Sequence, residues 1–297
     1  MRCLLVLMVL IVALGAVNVY AEDAPANNKE VVIFKGDDPT VDGIELDGWG
    51  SGKASKSNEK LLLGAWSIKV ATQGLYAGGR IDFTRPVALF SNGIDNSRYI
   101  QFTFFFPDTR VINPAAGTNS AYDVESYIKP KANKLRFMFV SESGATVSVE
   151  EPTAAIDPDD NWMRVAVPIG KFKSIGDAKE FRLKRLLIFA DVPNTTMYLG
   201  EMKLLTDNTP IRVEPLDSQT LAIMDDLFMT AVAQGGVSSL KYSWDFDKTN
   251  GLQAESTDKI THYIYTRGGE FTVTLTVSDV DGLKAPVTVT SNISIND

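Results

Sequence analysis

Gly269-Glu270-Phe271-Thr272-Val273-Thr274-Leu275-Thr276-Val277-Ser278-Asp279-Val280-Asp281-Gly282 decides the fold of this chain. Phe271, Val273, Leu275 and Val277 alternate with polar residues. Successive side chains on a strand point to opposite faces, so a period of two predicts a strand with one buried face. Threonine and valine favour such a surface. Asp279-Val280-Asp281-Gly282 predicts a hairpin turn, where glycine supplies a positive φ. Upstream, Tyr242 to Asp247 predicts a strand with Trp244 and Phe246 on one face, and downstream Val287 to Ile295 alternates again. These strands alone predict an Ig-like sandwich.

The same residues resemble the PKD domain, named for polycystic kidney disease. The features are Trp244-Asp245-Phe246, the His-x-Tyr approach within Thr261 to Tyr265, the step Gly269-Glu270-Phe271, the strand Thr272 to Val277 and the turn Asp279 to Gly282. The likeness is close from about residue 240 onward and loose from Ile211 to Leu240. Asp247-Lys248-Thr249-Asn250-Gly251 stands where the family usually has Gly-Asp-Gly, so that turn is altered. The resemblance implies an extracellular spacer or interaction module, usually without catalysis. The residues agree with it. Trp244 on an alternating strand reads as core. Tyr265 is placed to pin a corner by bonding backbone. His262 reads as a hydrogen-bonded histidine near a strand start, because no motif positions a Ser or Cys beside it.

Working back from this module, short β-rich runs continue. They include Ser67 to Val70, Tyr99 to Phe106, Leu135 to Val140, Thr146 to Val149, Met163 to Val167, Leu186 to Phe189, Met197 to Leu199 and Met202 to Leu205. Gly, Pro, Asn and Asp clusters separate them, and helical periodicity is scarce. The polar stretch Thr206 to Pro210 marks a change of character. The expected organisation is a signal peptide at 1–21, a jelly-roll sandwich at 22–206 and an Ig-like sandwich at 207–297, an all-β protein throughout.

The first sandwich resembles galactose-binding-like and carbohydrate-binding jelly rolls. The order of features carries this: an acidic, glycine-bearing loop from Asp42 to Trp49, the strand Gly64 to Val70, the late strand Trp162 to Pro168 and the closing strand Gly200 to Leu204. Sugar C–H faces pack on aromatic rings, while amides and carboxylates bond hydroxyls. Trp49, within Gly48-Trp49-Gly50-Ser51-Gly52, is the leading platform; the alternative is that it caps the sandwich end. Trp66, Tyr76, Tyr122 and Tyr127 are further candidates, the last two in a loop-like stretch from Pro107 to Lys134. Trp162 reads as core. Asp37, Asp38, Asp42, Glu45 and Asp47 form a run of oxygen ligands that suits calcium, though not in EF-hand order; the alternative is a solvated acidic loop.

Composition narrows the chemistry. The 297 residues are 44% hydrophobic and 22% charged, which is ordinary for a packed protein. A single cysteine, Cys3, and a single histidine, His262, exclude Cys/His zinc sites, Cys–His nucleophiles and a disulfide scaffold. The net charge of −8 and the lack of a basic stripe speak against nucleic acid. Arg2, the apolar run Leu4 to Val19 and the small residues of Val19-Tyr20-Ala21 have the layout of a secretory signal peptide, with an uncleaved anchor as the alternative. Cleavage leaves no membrane span and no cysteine. No Gly-x-Ser-x-Gly, P-loop, Rossmann or paired-carboxylate glycosidase motif occurs.

The expected function is therefore an exported, non-catalytic binding protein of the cell envelope or exterior. It needs no cofactor unless calcium, and its partner is a polysaccharide or glycoconjugate. The alternatives are an adhesive surface protein with extracellular protein partners and a divergent polysaccharide-degrading enzyme.

Overall fold

The computed structural model describes residues 30–117, 126–154, 162–176, 178–251 and 253–296. The expected signal peptide lies outside them.

The first sandwich is two antiparallel sheets. One runs β11 (Trp162–Pro168), β6 (Arg98–Phe105), β13 (Pro193–Thr206), β4 (Ser67–Gln73), β3 (Lys53–Ser57), with β1 (Val31–Phe34) also paired to β13. The other runs β10 (Thr146–Pro152), β9 (Lys134–Ser141), β12 (Phe181–Ala190), β5 (Gly78–Phe90), β2 (Ile44–Trp49). A short 3-10 helix, Ile169–Ile175, follows β11. This is the expected jelly roll. Its inner faces follow the alternation read from sequence: Leu135, Phe137 and Phe139 are buried, and so are Ile100, Phe102 and Phe104. Phe102 of one sheet stacks on Phe137 of the other with centroids 4.7 Å apart and planes at 11°. Each such ring, taken out of water, contributes about 1.5–3 kcal/mol.

Two stretches differ from expectation. Met197 to Leu199 and Met202 to Leu205 are one strand, β13, continuous through a register shift between Leu199 and Glu201. Gly200 sits at that shift because a Cβ there would come within 2.5 Å of Leu62 and 2.7 Å of Trp162. The region from Pro107 to Lys134, read as a loop, holds a ribbon of β7 (Thr109–Ile112) paired with β8 (Tyr127–Pro130).

The second sandwich has a four-stranded sheet in the order β15 (Gln219–Ala222), β21 (Val287–Asn296), β20 (Gly269–Asp279), β18 (Leu240–Asp245). Opposite it, β16 (Asp226–Thr230) pairs with β19 (Ile260–Ile264), and β14 (Arg212–Val213) with β17 (Ala233–Gln234). β15 joins β21 in parallel, whereas the other pairs are antiparallel. Trp244 is fully buried, and its Nε1 donates to the Asp258 carbonyl at 2.9 Å. The buried Tyr265 hydroxyl donates to the Phe246 carbonyl at 2.7 Å, which is the corner expected of it. Gly282 takes φ +68°, as its turn requires. His262 lies beside Asp226 at 3.2 Å and stacks on Phe228.

The two sandwiches touch along a built seam. Tyr99, Ala166 and Leu205 of the first form a small apolar cluster with Val237 of the second. Tyr99 also bonds Ser238 at 3.2 Å through its hydroxyl. Lys284 donates to the Asp207 carboxylate at 2.7 Å, and the Asp207 amide donates to the Ser97 carbonyl at 2.7 Å.

Candidate functional site

The outward face of the five-stranded sheet gathers charged and aromatic side chains in register. Register defines it row by row. Trp49 pairs with Gly78, Asp47 with Arg80 and Glu45 with Asp82 across β2 and β5. Arg80 pairs with Leu187 and Asp82 with Arg185 across β5 and β12. Leu187 pairs with Met138 and Phe189 with Arg136 across β12 and β9. Directly opposed residues on antiparallel strands share a face, so these side chains form one surface.

Charges alternate across that surface. Arg80 donates to Asp47 at 2.5 Å and lies 2.9 Å from Asp82, while Arg185 donates to Asp82 at 2.5 Å. Beside this ladder, Arg136 donates to Ser148 at 2.8 Å and to the Leu75 carbonyl at 3.1 Å. The Arg136 guanidinium lies over the rings of Tyr76 and Phe189, 5.4 and 5.6 Å from their centroids. Planar guanidinium on an aromatic face is a favourable arrangement that holds both rigid.

Trp49 and Tyr76 are carried by two adjacent turns at one end of this face. Two turns carry the chain from one sheet to the other there. One is Trp49 to Gly52, closed by Gly52 N–H donating to the Trp49 carbonyl at 3.2 Å. The other is Gln73 to Ala77, closed at 2.8 Å. They nest against each other so closely that a Cβ on Gly52 would lie 2.2 Å from the Gly78 nitrogen. Gly52 and Gly50 thus face the neighbouring turn, Gly50 with φ +62°, while Gly48 faces Gly52 of its own turn. Trp49 is 44% exposed and Tyr76 79% exposed.

The other candidates fall elsewhere. Trp66 stands at the far end of β3 from Trp49, beside Ser67, which pairs with Ser57. The Lys56 ammonium sits 4.2 Å from its ring centroid and is held by Asp38 at 2.9 Å. Tyr127 is half-buried on the ribbon. Burial pushes its hydroxyl up from the usual value, and Asp258 adds to this while Arg110 opposes it. Tyr122 lies outside the described residues. Trp162 is half-buried on the outer side of β11, edge-on to Phe105 at 5.7 Å, so it is not part of the core.

The five carboxylates considered for calcium do not form one cluster. Among the described residues, no group of three or more His, Cys, Asp or Glu is placed to hold a metal ion. The stretch read as an acidic loop is strand β2, so Glu45 and Asp47 project from a sheet while Asp37, Asp38 and Asp42 lie in the turn before it. Asp38 is committed to Lys56 and Asp47 to Arg80. Asp42 is pushed above the usual carboxylate range by burial and by Asp37 and Asp38, against Lys35.

Arg80, Arg136, Leu187 and Phe189 belong to this candidate face, and composition and motif do not single them out. The available signal is in β12, where Leu186 to Ala190 is apolar at every position. A strand buried on both faces has a covered outer side.

Residues 218–295 match the family described as the PKD domain. The match begins inside the stretch whose likeness is loose by eye. No curated protein matches the chain. Among solved structures, the chain is similar to the CBM22-1 xylan-binding domain of Paenibacillus barcinonensis Xyn10C, at 12% identity and TM-score 0.33, covering 60% of this chain and 92% of that one. It is likewise similar to the family 30 carbohydrate-binding module of the Clostridium thermocellum cellulosomal cellulase Cel9D-Cel44B, at 12% identity and TM-score 0.34, covering 61% and 99%. Among the described residues, no helix is long and apolar enough to cross a membrane.

Proposed function

We propose that this chain is an exported, non-catalytic protein that binds a polysaccharide or glycoconjugate on the outer face of its five-stranded sheet. In this reading residues 22–206 are the binding domain, and residues 207–297 are a PKD-type module that spaces or docks it. The observation that carries the reading is the presentation of two exposed rings, Trp49 and Tyr76, on adjacent turns beside an ordered ladder of Asp47, Arg80, Asp82 and Arg185. Rings supply the apolar planes that sugar C–H faces need, and fixed charged groups orient hydroxyls. Presentation by two interlocked turns leaves little ordering to be done on binding, which favours affinity.

The test is a glycan array followed by affinity electrophoresis of the chain lacking residues 1–21. Trp49→Ala and Tyr76→Ala are each expected to weaken retention by about tenfold, with the thermal midpoint unchanged because both rings are exposed. Full retention in both variants, or sugar release from the polymer, sinks the proposal. Absence of any glycan signal together with capture of a defined extracellular protein partner turns the reading to adhesion.

A further inference from the structure

Where the sandwiches meet, one ammonium faces two buried carboxylates. Glu151 of β10 and Lys171 of the 3-10 helix belong to the first sandwich, and Asp281 lies on the turn between β20 and β21 of the second. Lys171 reaches both acids, Glu151 at 2.7 Å and Asp281 at 2.5 Å. The helix and the turn are packed tightly together. A Cβ on Gly170 would come within 2.7 Å of Asn96 and 3.5 Å of Leu283. The turn is also held in shape from within, because the Asp279 carboxylate accepts from the Leu283 and Lys284 N–H groups at 3.0 and 3.3 Å.

Charge within this trio does not balance. With both acids ionised, two anions share one cation, and a surplus negative charge is buried. Burying a charge without a counter-charge is costly. A proton on Glu151 removes the surplus and leaves Lys171 to Asp281. Burial pushes the Glu151 carboxyl up to about 7, with Lys171 opposing and Asp281 adding. Burial also works against the Lys171 cation, but Asp281 and Glu151 outweigh it and tighten its hold on the proton. The neighbouring groups are matched among themselves. Burial opposes the Asp207 anion, yet Lys284 and Thr209 hold it below its usual range. Burial pushes the Tyr99 hydroxyl up, Ser238 opposes, and Asp207, Asp279 and Asp281 add, so it stays neutral. Glu151 is therefore the group whose charge changes near neutrality.

We propose that Glu151, Lys171 and Asp281 form a proton-operated latch between the two sandwiches, closed when Glu151 is protonated and released when it is charged. Coupling of this kind is reciprocal. Asp281 strengthens the hold of Glu151 on its proton, so the proton strengthens the hold of the first sandwich on Asp281. The contribution is complete below the ordinary carboxylate pKa of about 4.3. It is lost as pH rises through about 7. The Lys284–Asp207 pair does not use this proton and keeps the sandwiches attached after release. The latch rests on the seam alone and is independent of any sugar-binding face.

The experiment is hydrogen exchange of the full chain, read by mass spectrometry at about pH 5 and about pH 8.5 and corrected for the chemical exchange rate at each pH. Peptides covering 169–175 and 279–285 meet at the latch, and their protection is expected to fall by about fivefold or more at the higher pH. Urea below the unfolding transition should leave that fall unchanged, because local opening exposes little surface. Glu151→Gln, which keeps the acceptor and cannot ionise, is expected to hold the latch shut at both pH values and to abolish the difference. Equal protection of the two segments at both pH values in the parent chain overturns the proposal. So does a fall that persists in Glu151→Gln, or one that grows with urea as steeply as exchange of the core strand Lys134–Ser141. The parent comparison decides the matter without the variant.

Discussion

Lys171, on the 3-10 helix of the first sandwich, places its Nζ 2.5 Å from the Asp281 carboxylate on a turn of the second. The same ammonium donates to Glu151 at 2.7 Å. One cation therefore serves two acids at the seam, and both are almost fully buried, with side-chain exposures of 1% for Glu151 and 5% for Asp281.

Burial pushes the Glu151 carboxyl up to about 7; Lys171 opposes the rise and Asp281 adds to it. The fold thus binds this proton more tightly than the unfolded chain does. Stability from this group is complete below the unfolded pKa of about 4.3 and is lost as pH rises through about 7. Glu151→Gln, which keeps the acceptor and removes the charge, is expected to match the parent near pH 4. At pH 8 it should exceed it by at most about 3 kcal/mol. Urea unfolding at the two pH values measures this, and equal stability at pH 8 contradicts it.

Lys284 and Asp207 behave in the opposite sense. Burial works against the Asp207 anion, yet Lys284, Thr209 and Val237 outweigh it and hold the carboxyl below its usual range. Its stability contribution is present above the unfolded pKa and is lost on acidification through the lower folded one. Lys284→Met leaves a buried carboxylate short of its cation and is expected to cost about 3–5 kcal/mol. The acid limb of the unfolding curve should move to higher pH. Adding Asp207→Asn to Lys284→Met should recover part of the loss, which a double-mutant cycle reads directly.

Tyr265→Phe deletes one hydroxyl from a buried corner and strands the Phe246 carbonyl. A cost of about 1–3 kcal/mol is expected. Sugar affinity should stay unchanged, since Trp49 and Tyr76 sit on the other sandwich. Chemical denaturation and affinity electrophoresis together check both halves of this expectation.

Gly52→Ala should disturb the binding face from behind. Its added methyl would meet the Gly78 backbone at 2.2 Å and force the Trp49 turn away from its neighbour. Stability should fall by about 1–3 kcal/mol, and neutral-polymer retention should drop.

Much of this architecture was readable from local pattern. Alternation around Phe271 to Val277 places β20, and the step from Trp244 to Phe246 places the core of the second sandwich, because both depend on side-chain period alone. The bulge at Gly200 hides a single long strand behind an apparent break, since a register shift has no period to detect. The two sheet-crossing turns that carry Trp49 and Tyr76 lie side by side, and no local signal encodes that. The acidic run from Asp37 to Asp47 looked like one cluster because sequence distance ignores where a strand begins. Once Ile44 enters the sheet, the carboxylates beyond it are carried off along β2 towards Arg80.

Tyr99, Ser238, Asp207 and Lys284 lock the seam, with Asp207 on the chain's passage from one sandwich to the other. A module hung on a loose tether sweeps a volume and reports only proximity. Two bodies riveted in this way keep a set angle, like the arms of a bracket. Tension on a polymer held at Trp49 would reach the far strands of the second sandwich as torque, with little slack to absorb it.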